Sequence, residues 1–303
     1  MKPEYIQHSE IDFIKWDRCI QSCENHLPYG YSWYLNVVSP GWDALVSGDY
    51  AKIFPLTFST KARINYLYQP YFTQQLGLFG ASIKDADVTD FLKAIPEKFK
   101  FIEINLNSYC HLNAKDFSGK FKITHHLDLT KKHIEIFNSF NDNTKRNIRK
   151  AEKLNLIFSD NGKIKSLINL FKETTGNKTE LKKKDYLMLE SLMKTSISNT
   201  SGKIYEVRDA EKNLLAGLFL ISSQNILINL FNASSSEGKK KSAMFYLVNE
   251  IIKLNAQSNK TLDFEGSEIA EVARFYKGFG GVPIQYPHIK LNRLPWPLKW
   301  IKE

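Results

Sequence analysis

Two carboxylates in the run TLDFEG, Asp263 and Glu265, are well suited to moving a proton. If the run is a strand, both lie on one face and Leu262 and Phe264 on the other. A carboxylate at a strand end can take the proton from an attacking ammonium group, so Glu265 is a candidate general base. The plainer alternative is a loop-edge carboxylate that caps a helix starting near Ser267. Other pairs are weaker. Cys110 and His111 are neighbours in sequence only, which does not make a nucleophilic dyad. His125 and His126 would point to opposite faces of a strand, so no metal site is expected. Cys19, Cys23 and Cys110 show no CxxC spacing and read as reduced thiols.

In NDNTKRNIRKAEKLNL, Ile148, Ala151 and Leu154 fall on one side of a helix, and Lys145, Arg146, Arg149, Lys150 and Lys153 crowd the rest. Lys145, Arg149 and Lys153 recur every four residues, a face able to follow phosphates or simply to be solvated. Tyr66, Tyr68, Tyr71 and Phe72 could line a cleft or pack in a core. The formal charge of +10 favours anionic partners such as coenzyme A, tRNA, nucleotide-linked sugars or anionic lipid, and also serves solubility.

These residues need elements to hold them. A helix is expected where Phe13, Trp16, Ile20 and Cys23 recur. Strands follow in AKIFPLTFST, INYLYQPYF and FIEINLN, with a helix over about 87–99 between the last two. From about residue 121 the pattern restarts with the strand FKITHHLDL, and then come helices through Ile134, through the basic run and through Phe171. A polar stretch over 174–184 reads as a loop. KIYEVRD, LLAGLFLIS and ILINLFN form an antiparallel meander. They are followed by a long apolar helix over about 242–256, the strand TLDFEG, a helix through Ile269, Val272, Ala273 and Tyr276 ended by GFGG, and a last strand IQYPHIKLN.

At 303 residues the chain fits two domains better than one, and the restart divides it into 1–122 and 123–303. No run of about 18 apolar residues occurs, and the first residues carry charges rather than an apolar core. A cytoplasmic protein without a transmembrane segment is therefore expected.

The element order of the second half resembles the GNAT acyltransferase fold. NDNTKRNIRKAEKLNL, TLDFEGS and ARFYKGFGG resemble segments of FemAB-like proteins, and GDYAKIFPLTF with LGLFG resembles their first half. The resemblance implies a mixed α/β fold of two GNAT-like domains in tandem, each a mostly antiparallel mixed sheet with flanking helices. It also implies N-acyl transfer from acyl-coenzyme A such as acetyl-coenzyme A, or from aminoacyl-tRNA, to the amine of a small molecule or cell-wall precursor. No permanently bound cofactor and no DNA partner are implied, and a monomer or weak dimer is expected.

On this resemblance Tyr276 is a candidate acid for the leaving group, with Lys277 beside it and Glu265 as base. Asn229, Phe231, Asn232 and Asp263 would line or hold the acyl arm. Lys145, Arg146 and Arg149 would meet an anionic donor or acceptor. Acyl-coenzyme A users usually place glycines before the long helix, where this chain has SSEGKKKSA. Gly238 alone remains, and Lys239, Lys240 and Lys241 could meet phosphate only as point charges. The alternative is a catalytically silent two-domain protein that binds an anionic ligand or partner.

Overall fold

The computed structural model describes residues 2–112, 119–266 and 269–294. The chain forms two compact units, one of residues 1–122 with 285–303 and the other of 123–284. The sequence pattern leaves the tail with the second half, whereas in the structure residues from Gln285 onward belong to the first unit.

The first unit runs β1 (Glu4–Ile6), α1 (Phe13–Ser22), α2 (Ser32–Val38), β2 (Asp43–Ser47), β3 (Lys52–Leu56), β4 (Phe58–Lys61), β5 (Ile64–Tyr68), β6 (Phe79–Gly80), α3 (Asp85–Lys93) and β7 (Phe99–Asn105). One sheet has the order β1-β2-β3-β6. In another, β4 pairs with β5, β5 runs parallel to β7, and β7 pairs antiparallel with residues 288–292 of the last strand. Phe54, Phe91, Phe99, Ile102 and Ile289 are fully or almost fully buried in its core. Asp12 starts α1 by accepting from the N–H groups of Ile14 and Lys15, which satisfies two otherwise unpaired donors.

β8 (Gly119–Asp128) crosses into the second unit. There follow α4 (His133–Ser139), α5 (Asp142–Glu152), β9 (Ile157–Ser159), α6 (Ile164–Thr174), α7 (Lys183–Ser198), β10 (Gly202–Arg208), β11 (Leu214–Ser223), β12 (Ile226–Ser234), α8 (Ser236–Lys240), α9 (Ala243–Asn255), β13 (Thr261–Asp263), α10 (Ala270–Gly278) and β14 (Val282–Asn292), whose far end belongs to the first unit. The strand order β8-β13-β12-β11-β10-β9 contains the expected meander. β12 and β13 are parallel and the other pairings in this run are antiparallel. Leu247, Ile251 and Ile252 of α9 pack with Leu218, Val207 and Leu262 of the sheet in one buried cluster.

Two local details differ from the sequence pattern. The polar stretch over 174–184 contains a single 3-10 turn, Gly176–Lys178, and α7 starts at Lys183. β13 is three residues long and stops at Asp263, because the Asp263 carboxylate accepts from the N–H of Glu265 and folds the chain into a turn. Glu265 takes a left-handed φ of 56° there, so it does not share a strand face with Asp263.

Candidate active site

The second unit contains a gap between two strands that begin as partners. β12 pairs with β13 only from Ile226 to Ile228, opposite Thr261 to Asp263. Beyond that point β12 continues through Asn229 to Ser234 without β13 beside it. A bulge adds to the divergence, since Leu220 faces Asn229 while Phe219 faces Phe231, leaving Leu230 as the extra residue. The bulge resets the alternation of side chains, so Asn229 and Asn232 come together and the Asn232 Nδ2 donates to Asn229 Oδ1 at 3.1 Å.

A cavity of about 480 Å³ adjoins this stretch, and both asparagines line it. Its apolar wall comes from α9 and α10, through Met244, Phe245, Val272 and Phe275, with Phe171 of α6. Phe245 and Phe275 meet edge to face with centroids 4.8 Å apart, and Phe171 lies 4.5 Å from Phe231. These contacts fix the wall, because aromatic pairs are favourable in tilted and edge-on arrangements. Phe231 therefore acts on the cavity through Phe171.

Tyr276 reaches the cavity from α10, and its ring stacks on Phe264 at 5.0 Å. Its hydroxyl is hydrogen-bonded to the Asn232 side chain. Burial, chiefly, and then the negative charges of Glu265 and Asp263 push the phenol well above its ordinary range, against the pull of the Asn232 amide. The hydroxyl thus stays protonated at neutral pH and is a hydrogen-bond donor.

Glu265 does not line the cavity and reaches Tyr276 through its charge. The helix start expected near Ser267 lies outside the described residues. Asp263 is fully buried, and its Oδ1 accepts from the Thr124 hydroxyl and the Glu265 N–H. Its Oδ2 lies 3.3 Å from His126 Nε2, without hydrogen-bond geometry. These contacts make Asp263 a buried anchor for the strand end. His125 points to the opposite side of β8, with its ring 6.2 Å from that of Tyr276 and neither ring nitrogen hydrogen-bonded. Desolvation first, and then the nearby Lys277 charge, lower its pKa below the ordinary histidine value.

The SSEGKKKSA segment forms α8 and the turn into α9. The N–H groups of Gly238, Lys239, Lys241 and Ser242 donate to Ser235 Oγ, Ser235 O, Glu237 O and Lys239 O. Gly238 is required by packing, since a Cβ there would stand 2.0 Å from the Leu215 carbonyl oxygen. Ser242 has a φ of 56° and its hydroxyl donates to Asn147 Oδ1 at 2.7 Å, tying the turn to α5. Lys239 lines the cavity. Lys240 lies 3.4 Å from Glu237, and Lys241 lies 3.5 Å from Asp209 and 3.6 Å from Glu237.

On α5, Lys145 Nζ donates to Asn138 O and Arg146 to Asn143 Oδ1, while Arg149 is exposed. None of the three lines the cavity. The structure brings together Tyr276, Asn232, Asn229 and Lys239, and leaves the basic helix and Glu265 outside the cavity wall. The apolar wall and Glu271, which also lines the cavity, were missed. The repeat of Phe171, Val272 and Phe275 in helical stripes is the same whether such residues fill a core or border a cavity. Among the described residues, no group of three or more His, Cys, Asp or Glu could hold a metal ion, and no helix is long and apolar enough to cross a membrane.

No protein-family model and no curated protein matches the chain. Solved structures do. FemX matches at 14% identity with a TM-score of 0.69, over 98% of this chain and 99% of that one. The C-terminal domain of a putative lysylphosphatidylglycerol synthetase from Agrobacterium fabrum matches at 9% identity with a TM-score of 0.57, over 96% and 94%. L-PGS from Bacillus licheniformis matches at 12% identity with a TM-score of 0.52, over 88% and 89%. With nearly the whole length of FemX superposed on nearly the whole length of this chain, the chain has the FemAB-like mixed α/β fold that its sequence resembles.

Proposed function

We propose that the chain transfers an acyl or aminoacyl group to an amine, at the gap where β12 leaves β13. The observation that carries this reading is the convergence of a tyrosine hydroxyl, two side-chain amides and an apolar cavity on the part of β12 that β13 no longer flanks. Acyl transfer needs the carbonyl held beside the attacking amine and a proton for the departing atom. The edge of β12 that β13 has left can hold the donor arm, Asn229 and Asn232 can bond the acyl group, and Tyr276 can supply a proton or hydrogen bond to the leaving atom. FemX and the two lysylphosphatidylglycerol synthetase-type structures share this fold, which supports the reading by analogy.

Two features favour an aminoacyl-tRNA ester over a coenzyme A thioester as donor. Four backbone N–H groups of α8 and the turn into α9 bond within that segment, so they are not open to a pyrophosphate. A strongly buried phenol is also a weak acid, better matched to a basic alkoxide leaving group than to a thiolate. The acceptor would be an amine of a small molecule or cell-wall precursor, with Lys145, Arg146 and Arg149 as an outlying contact for the polyanionic donor.

Filter binding with bulk aminoacyl-tRNA and calorimetric titration with acetyl-coenzyme A test the reading. The expected result is retention of the charged tRNA, weaker retention of uncharged tRNA, and little heat with acetyl-coenzyme A. Tight acetyl-coenzyme A binding would reverse the choice of donor. If neither donor binds, transfer is rejected in favour of a silent binding protein.

A further inference from the structure

Asn229, Asn232 and Tyr276 supply the polar groups of the cavity, and its apolar wall starts on the same helix as the tyrosine. Val272 stands one turn before Tyr276, about 6 Å along the axis of α10. Met244, Phe245, Val272 and Phe275 pack against the core of the unit yet stay only half-buried, and Phe171 is half-buried as well. Apolar surface left open in this way favours a ligand that covers it. A volume of about 480 Å³, with a wall of this kind beside a few polar groups, is that of a small-molecule subsite.

Lys239 and Glu271 also line the cavity, one charge of each sign and both exposed, so the lining has no net charge to select a charged side chain. What the wall complements is size and apolarity. A methyl group next to a carbonyl held at Tyr276 ends well short of Val272, whereas an aromatic or branched aliphatic side chain spans the distance. We propose that the transferred group carries a bulky apolar side chain, aromatic or branched aliphatic, which seats on Val272, Phe245, Phe275 and Met244. In the transfer the amine nitrogen bonds to the carbonyl carbon, the ester C–O bond breaks with its electron pair on the donor oxygen, and that oxygen gains the proton that the nitrogen loses. The side chain on the wall takes no part in this exchange and sets which donor is used. Assigning it to a transferred group rests on the function proposed above, whereas the affinity of the wall for it does not.

The test is filter binding of the full chain with one tRNA charged in turn with phenylalanine, leucine, alanine and lysine, so that only the aminoacyl group differs. Phenylalanyl- and leucyl-tRNA should bind about tenfold or more tightly than alanyl- and lysyl-tRNA, since a few buried methylenes discriminate by at least that factor. Val272→Trp, which fills the wall, should bring the four together, and Val272→Ala should narrow the preference without crowding the cavity. Calorimetry with 3-phenylpropanamide, propanamide and 3-phenylpropylamine reads the wall without tRNA. The first should bind the unmodified chain and lose affinity in Val272→Trp, and the other two should bind more weakly. The inference is overturned if alanyl- or lysyl-tRNA binds as tightly as phenylalanyl-tRNA, or if both Val272 variants keep the full preference. It is overturned as well if 3-phenylpropylamine matches the amide, which would seat an acceptor amine on the wall. Charged tRNAs that all bind alike reject this inference and leave the transfer function standing. If no charged tRNA binds but 3-phenylpropanamide does, and Val272→Trp abolishes it, the aminoacyl-tRNA donor falls and the apolar subsite stands.

Discussion

The side-chain amide of Asn232, on the part of β12 that β13 no longer flanks, is hydrogen-bonded to the hydroxyl of Tyr276 on the last helix of the second unit. The bulge opposite Leu220 brings Asn229 within reach of Asn232, so the tyrosine is held by a relay of two amides. Tyr276→Phe retains the ring and its stack on Phe264, and removes only the hydroxyl. Transfer should fall about a hundredfold, while stability changes by about 1 kcal/mol, the worth of one buried hydrogen bond. Single-turnover rates and thermal melts check both. Normal transfer in the variant would exclude the hydroxyl from the chemistry.

Gly238→Ala separates packing from phosphate binding. A methyl group there meets the Leu215 carbonyl oxygen. The expected cost is about 1–3 kcal/mol of unfolding free energy, as for other overpacked sites. Denaturant melts measure it. A variant of unchanged stability with weakened donor binding would instead make Gly238 a ligand contact.

His125 predicts a pH dependence of stability. Burial and Lys277 lower its pKa from the ordinary histidine value of about 6.5, against the pull of Asp263 and with a smaller push from His126. Below that value the unfolded chain binds a proton that the folded chain refuses, so unfolding free energy should fall as pH drops from about 6.5 and level off below the folded pKa. His125→Leu should flatten this slope, measured by denaturant melts at pH 5 and pH 7. An identical slope in the variant would remove His125 as its source.

For the basic helix, the combined Ala replacement of Lys145, Arg146 and Arg149 should weaken polyanion binding and flatten its salt dependence. Arg149 alone should account for most of the effect, because Lys145 and Arg146 already bond within the chain. Filter binding across a salt series decides it, and unchanged slopes would reject the contact.

The thiols should be inert in the folded chain. Burial pushes Cys19 and Cys110 up to about 12 and Cys23 up to about 11. The thiolate is the reactive form, so a thiol reagent at neutral pH should label all three only after unfolding. Fast labelling of the native chain would contradict this.

Much of the second unit was legible from alternation and helical stripes, because the meander and α9 bury regular faces. β13 was overestimated because a side chain stopped it: the Asp263 carboxylate competes with the ladder for the Glu265 N–H, and periodicity carries no sign of that. Tyr276, Asn229 and Asn232 were singled out, but their meeting depends on a bulge that no composition signal marks. Glu271 was overlooked because an acidic residue in a first helical turn is ordinary. IQYPHIKLN was grouped with the second half while its residues 288–292 pair with β7, because the run looks the same whichever strand it joins.

The membership of that last strand bears on how the protein is made. During synthesis the segment 123–284 leaves the ribosome as a complete unit while the earlier one still lacks residues 285–292, whose partners on β7 emerged long before. The half that is begun first is therefore finished last. Until then β7 has an unpaired edge, where a nascent chain is open to wrong pairing or chaperone capture.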